Sequence, residues 1–85
     1  MSLPDDFQAA QVRVKQLTAA PDTVTLLELY ALFKQGTAGD TTGPRPGMLD
    51  FKGRAKFDAW AGKKGATKDA AMQAYITLVD QLTKG

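Results

Sequence analysis

Apolar residues recur at helical spacing in four stretches of the chain, and helix-breaking residues separate them. In the first stretch, from about Pro4 to Leu17, Phe7, Ala10, Val14 and Leu17 follow a 3-4-3 spacing that puts them on one face. Pro4 suits a first helical turn, and Asp5 and Asp6 complement the positive end of the helix dipole. The pair Ala20-Pro21 stops this run, because a residue before proline avoids the α region. Asp22 or Thr23 can cap a second helix, whose stripe of Leu26, Leu29, Tyr30 and Phe33 runs out near Gln35-Gly36. Asp50 can cap a shorter third helix reaching about Ala61, with Phe57 and Trp60 one turn apart. Gly62 to Gly65 breaks the pattern, and Thr67 caps a fourth helix to about Thr83. That helix carries Ala71, Met72, Tyr75, Ile76, Val79 and Leu82 on one face.

The prediction is a single all-α domain over residues 1–85, built from four helices. Phe7, Val14, Leu17, Leu29, Ile76, Val79 and Leu82 are its expected core, and Trp60 is assigned mainly to packing. From Ala38 to Leu49 the chain reads AGDTTGPRPGML, and three Gly and two Pro in twelve residues forbid regular structure. A loop of that length in so small a domain is usually functional or mobile. One long and two short connections argue against a symmetric up-down bundle.

Composition removes whole classes of chemistry. The 85 residues hold no Cys and no His, and Ser2, placed at an N-terminus expected to fray, is the one serine. Ser/His and Cys/His hydrolysis and a His/Cys zinc site are therefore excluded. With 44% hydrophobic and 24% charged residues the chain can collapse around a core. No run approaches the ~18 apolar residues of a membrane span. The acidic N-terminus does not read as a secretory signal, so a cytoplasmic protein is the expectation.

The net charge is only +2, but it is unevenly spread. Arg45 to Lys68 holds seven basic residues and two acids, whereas positions 1–44 hold three basic residues and five acids. Such a stripe is either a solvated face or a surface for an anionic partner. Tyr30, Phe33 and Lys34 share a face of the second helix, where the two rings read either as core or as ligand contacts. Lys34 must then snorkel or meet an anion. Lys52 and Lys56 lie four residues apart on the third helix, a like-charge pair that costs about 0.2–0.5 kcal/mol unless an anion sits between them. Lys15 borders the stripe of the first helix. Together these groups suit a ligand that is anionic, aromatic and partly apolar, such as a nucleotide joined to an aliphatic tail.

The stretch Arg45-Pro46-Gly47-Met48-Leu49-Asp50-Phe51-Lys52-Gly53-Arg54-Ala55-Lys56-Phe57-Asp58-Ala59-Trp60 resembles the signature of the acyl-CoA-binding protein family. Leu29-Tyr30 through Phe33-Lys34-Gln35 is similar to that family's Y-x-x-[YF]-K-Q segment, and Gly39-Asp40 to the start of its loop. Ala71-Met72 followed by Ala74-Tyr75-Ile76 is similar to its last helix, so the resemblance runs from Phe7 to Leu82. The length resembles that of a free-standing member.

This resemblance implies an up-down-down-up four-helix fold holding one long-chain fatty acyl-CoA, with no catalysis and no cofactor. Carried over by position, Tyr30, Lys34 and Lys56 meet the 3′-phosphate of the adenosine, and Lys15 and Lys52 add positive charge along the nucleotide. Tyr75 contacts the CoA part, Phe33 keeps ring contact with adenine, and Leu26, Leu27 and Ala55 line the acyl groove. Phe33 stands where many members have Tyr, and Phe57 replaces the family's usual Trp. The implied role is a monomeric carrier or buffer of acyl-CoA that meets acyl-CoA-using enzymes or membranes transiently. The rival reading is a small helical module that binds nucleic acid or protein through the 45–68 stripe. Binding through six or more phosphates falls steeply with salt, whereas binding dominated by apolar burial does not.

Overall fold

Every helix begins on a side chain that accepts a backbone N–H of its own first turn. In the computed structural model, which describes residues 2–84, the helices are α1 (Leu3–Lys15), α2 (Thr23–Ala38), α3 (Phe51–Ala61) and α4 (Lys68–Lys84). Ser2 Oγ accepts from Asp5 N–H at 3.3 Å, and Asp22 Oδ1 from Thr25 N–H at 2.8 Å. Asp50 Oδ1 accepts from Gly53 N–H at 2.9 Å, and Thr67 Oγ1 from Ala70 N–H at 3.0 Å. The choice between Asp22 and Thr23 is thus settled for Asp22. Ser2 is a cap and not a frayed residue. Such caps satisfy donors that a helix leaves open at its start.

The helix directions follow from which residues meet. Phe7 lies against Tyr75 and Arg13 pairs with Asp80, so α1 and α4 run parallel. Gly36 lies against Met72 and Gly39 beside Lys68, so α2 and α4 are antiparallel. Lys56 sits over Tyr30 and Lys34 over Trp60, so α2 and α3 are parallel. The result is the expected up-down-down-up order. α4 packs on both α1 and α2, while α3 packs on α2 alone.

Phe7, Ala10, Leu29, Leu32, Ala71, Tyr75 and Val79 form the buried core, with Val14, Phe33, Met72, Ile76, Leu78 and Leu82 packed against it. All of these come from α1, α2 and α4, and α3 contributes no fully buried residue. The molecule measures 38 × 28 × 15 Å. Because α3 packs on α2 and on neither α1 nor α4, the α2–α3 pair is left open on one side.

Two expectations need correcting. α1 ends at Lys15, with the Gln16 N–H bonded back to Arg13 and Val14 carbonyls, so Leu17 lies beyond the helix and is half-buried outside the core. Leu32, absent from the expected core, belongs to it, while Leu26, expected in a groove and not in the core, lies outside it; the α2 stripe divides between two neighbours. Leu29 and Leu32 turn to α1 and α4, while Leu26 and Tyr30 turn to α3.

The long connection is fastened at both ends. Gly39, at a φ of 84° that side-chain-bearing residues rarely adopt, ends α2 and presents its carbonyl to Trp60 Nε1 at 2.8 Å. Arg45 grips Asp58 of α3 through two bonds of 2.9 and 2.6 Å. Gln35, fully buried, donates through Nε2 to Asp40 Oδ1 at 2.8 Å and to the Ala66 carbonyl at 2.7 Å. Asp40 Oδ1 also accepts Gly65 N–H at 2.9 Å. One glutamine thereby ties the end of α2 to the loop and to the α3–α4 turn.

Candidate ligand site

The parallel ends of α2 and α3 enclose a hollow of about 280 Å³, lined by Thr23, Leu26, Leu27, Tyr30, Lys52, Ala55 and Lys56. Six of these seven residues were expected to touch a ligand; Thr23 was not. The parallel packing explains the grouping. Leu26, Leu27 and Tyr30 fall within little more than one turn of α2, and Lys52, Ala55 and Lys56 do the same on α3. Ala55 is small, so α3 leaves room where a larger residue would fill the gap.

Cations surround this apolar floor. Lys56 Nζ lies 5.4 Å from the Tyr30 ring centroid, and Lys34 Nζ lies 4.8 Å from that of Trp60, one turn farther along both helices. Among the described residues the ion pairs are Arg13–Asp80, Arg45–Asp58 and Lys63–Glu28, at 2.7, 2.6 and 2.6 Å. Lys34, Lys52 and Lys56 enter none of them. Their charges are therefore uncompensated by a carboxylate and are held beside aromatic faces and an apolar hollow. The 45–68 stripe is also less basic than its composition: Arg45 and Lys63 are already neutralised.

The remaining expected residues lie elsewhere. Lys15 is exposed at the last position of α1 and does not line the hollow. Phe33 is half-buried, its ring centroid 6.2 Å from that of Phe7. Tyr75 is the most buried of the expected residues. Only 5% exposed, it meets the Phe7 ring edge-on at 5.1 Å, and burial raises its phenol pKa above the ordinary value. Its ring packs in the core.

Two other depressions are larger but lack this chemistry. One of about 520 Å³ between α2 and α4 is lined by Glu28 and uncharged residues, and one of about 370 Å³ near the ends of α1 and α4 contains the already paired Arg13. Among the described residues no group of three His, Cys, Asp or Glu side chains is placed to hold a metal ion. Nor is any of their helices long and apolar enough to cross a membrane.

Comparison with known proteins points to one family and one fold. The family model described as "Acyl CoA binding protein" matches residues 4–79. Acyl-CoA-binding protein homolog 1 of Caenorhabditis elegans is 54% identical over 76 residues, covering 89% of this chain and 88% of that protein. The acyl-CoA-binding protein of Brassica napus is 50% identical over 82 residues, covering 96% of this chain and 89% of that protein. The crystal structure of acyl-CoA-binding protein 2 of Oryza sativa matches with a TM-score of 0.94 at 38% identity, over 98% of this chain and 92% of that one. The solution structure of the yeast acyl-coenzyme A binding protein matches with a TM-score of 0.73 at 44% identity, over 92% and 91% of the two chains.

Proposed function

The chain belongs to the acyl-CoA-binding protein family, and from that membership and the hollow between α2 and α3 we propose that it binds long-chain fatty acyl-CoA. The adenosine 3′-phosphate meets Lys34, Lys56 and Tyr30, Lys52 and Lys15 add positive potential along the nucleotide, and the half-buried Phe33 offers its ring to the adenine. The acyl chain lies on Leu26, Leu27 and Ala55. The observation that carries this reading is that one hollow holds both the apolar groove residues and the lysines Lys52 and Lys56. A ligand that is anionic at one end and aliphatic at the other is thus served by a single surface. Two separate sites would each bind only weakly.

The magnitudes assign the roles. Burying about twelve methylenes at ~0.8 kcal/mol each is worth on the order of 10 kcal/mol. Each charge-assisted hydrogen bond to phosphate adds about 1.5–3 kcal/mol before ordering costs. The tail supplies most of the affinity, and the nucleotide decides which acyl compound is held. A free fatty acid leaves the lysines hydrated, and CoA alone forfeits the apolar term.

The protein acts as a monomeric, non-catalytic carrier that needs no cofactor, acyl-CoA being its cargo. It works in the cytoplasm, and its partners are acyl-CoA-using enzymes and membranes met transiently. The sequence contains no Cys or His to open the thioester, so the bound ester is held and released unchanged. The nucleic-acid reading has no support from fold or family. Calorimetric titration tests the proposal: palmitoyl-CoA should bind most tightly, then short-chain acyl-CoA or CoA, then palmitate. Palmitate binding as tightly as palmitoyl-CoA overturns it.

A further inference from the structure

Among the described residues, every side-chain hydrogen bond that ties α3 or the turn behind it to another segment falls between residues 58 and 66. Arg45 grips Asp58, Trp60 Nε1 donates to the Gly39 carbonyl, and Lys63 Nζ donates to Glu28. Asp40 accepts the Gly65 N–H, and Gln35 donates to the Ala66 carbonyl. Residues 51–57 have no such tie; the Asp50 cap on Gly53 stays within the first turn of α3 itself. This half of the helix has no fully buried residue, and its Lys56 rests over the Tyr30 ring without a fixed hydrogen bond.

The hollow lies under the untied half. Its lining from α3 is Lys52, Ala55 and Lys56, all ahead of the first anchor at Asp58. Its other wall is α2, which packs on α4 through the buried Leu29 and Leu32. The two walls therefore differ in stiffness. Close-packed buried side chains resist displacement, whereas a segment with few buried contacts opens at low cost. The chain ahead of α3 leaves it slack, because the loop is fastened to α3 at Asp58 and Trp60, again behind the hollow. Lys34, over the Trp60 ring, sits at the anchored end.

We propose that α3 is a flap hinged on residues 58–66, whose free start swings away from α2 as the bound acyl chain lengthens. Asp58, Trp60 and Lys63 are then specificity-determining residues: they hold the spacing of α2 and α3 at the phosphate end while the acyl end adapts to chain length. The inference rests on the ligand reading above, since it takes the hollow for the acyl groove.

The chain has no cysteine, so nitroxide labels on introduced cysteine pairs report the two ends of α3 separately. Val24→Cys/Phe51→Cys marks the free end and Thr37→Cys/Lys64→Cys the hinge, all four positions being exposed. Double electron–electron resonance is read on the intact protein without ligand, with octanoyl-CoA and with palmitoyl-CoA. The free-end distance should grow in that order, from a ligand-free distribution broader than that of the hinge pair, and the hinge distance should stay constant. A free-end distance that is the same with both esters, each shown by calorimetry to be bound, overturns the flap and leaves the ligand reading intact. Equal growth at both ends also overturns it, because α3 would then move as a whole. A broad free end and a narrow hinge in a protein with no affinity for either ester support the flap and overturn the ligand reading. Joining the free-end cysteines with a short bis-maleimide should lower the preference for palmitoyl-CoA over octanoyl-CoA about tenfold relative to the same pair capped singly. An unchanged preference overturns the proposal.

Discussion

Lys34 holds its ammonium 4.8 Å from the centroid of the Trp60 indole, and the same indole donates its N–H to the Gly39 carbonyl at 2.8 Å. One ring thus fastens the loop with its edge while its face offers a seat to a cation. A cation over an exposed aromatic face is worth about 0.5–1 kcal/mol, less than the 1.5–3 kcal/mol or so of a charge-assisted bond to phosphate. An arriving phosphate should therefore draw Lys34 away from the indole. Trp60 is the sole tryptophan, so its fluorescence reports that movement directly. Palmitoyl-CoA should shift the emission of the parent. Lys34→Ala should weaken binding about tenfold or more with unchanged far-ultraviolet circular dichroism. Full affinity in that variant removes Lys34 from the phosphate site.

Lys56 offers a parallel case with a built-in control. Its ammonium lies 5.4 Å from the Tyr30 ring centroid, at the wall of the hollow. Lys64 follows α3 and is exposed outside the hollow. Lys56→Ala should therefore lower affinity for acyl-CoA about tenfold or more, whereas Lys64→Ala should change it less than threefold or so. Equal losses from the two, read by calorimetry at physiological salt, would mean that net charge and not position attracts the ligand.

Gly53 stands inside α3, where replacement of glycine by alanine ordinarily stabilises a helix by about 0.8–1.0 kcal/mol. Here a Cβ would run into the carboxylate of Asp50, whose Oδ1 caps α3 on the Gly53 N–H itself. To make room the carboxylate must turn away, and loss of a cap costs about 0.5–2 kcal/mol. Gly53→Ala should consequently bring no gain in urea stability in the parent. In an Asp50→Ala background the same substitution should be stabilising by about 1 kcal/mol. A double-mutant cycle reads this coupling, and additivity of the two changes would refute it.

The helices were legible because both their stripes and their caps are written in local residues: Asp22, Asp50 and Thr67 all cap as their positions imply. Residue roles within a stripe were less so. Tyr30 and Tyr75 both sit at helical spacing among apolar neighbours, yet one walls the hollow and the other is buried against Phe7. Periodicity gives a face and not the neighbour that the face meets. α2 has neighbours on two sides, which is why Leu26 and Leu29 part company. Gln35 was beyond reach for the opposite reason. A buried polar side chain carries no periodic signal, and its partners Asp40 and Ala66 are brought to it only by the folded loop and turn. Resemblance to a family, and not the bare pattern, assigned the lysines their separate parts.

The core makes a sharper demand on Phe7 than on the Tyr75 hydroxyl. Phe7 is buried and touches rings on both α2 and α4, at 6.2 Å to Phe33 and 5.1 Å to Tyr75. Phe7→Ala should cost about 3–5 kcal/mol, a large share of the stability of a small domain. Tyr75→Phe keeps the ring and removes a hydroxyl that has no hydrogen-bond partner among the described residues, so it should alter urea stability by less than about 1 kcal/mol. The same variant separates the two readings of this residue. An affinity for palmitoyl-CoA within about twofold of the parent's agrees with a core role, whereas a loss approaching tenfold would return the Tyr75 hydroxyl to the ligand site.

Acid should loosen the structure through Asp40. Its carboxylate accepts the Gly65 N–H and the Gln35 amide, in that order of effect, and both hold its pKa below the ordinary carboxylate value. A group whose folded pKa is depressed stabilises the fold above its unfolded pKa, and that contribution is lost as pH falls through the folded value. Asp22 and Asp58 are depressed in the same direction, by the Thr25 hydrogen bonds and by Arg45 respectively. With no histidine in the chain, no side chain of ordinary pKa titrates between about pH 5 and 8. Urea stability should therefore be nearly flat across that range and fall below about pH 4. Asp40→Asn removes one contributor: it should be less stable than the parent at neutral pH, and the gap should narrow as both are taken below about pH 4. A gap of constant size down to pH values where the parent unfolds would show that the Asp40 charge does not hold the loop to the turn at Gly65.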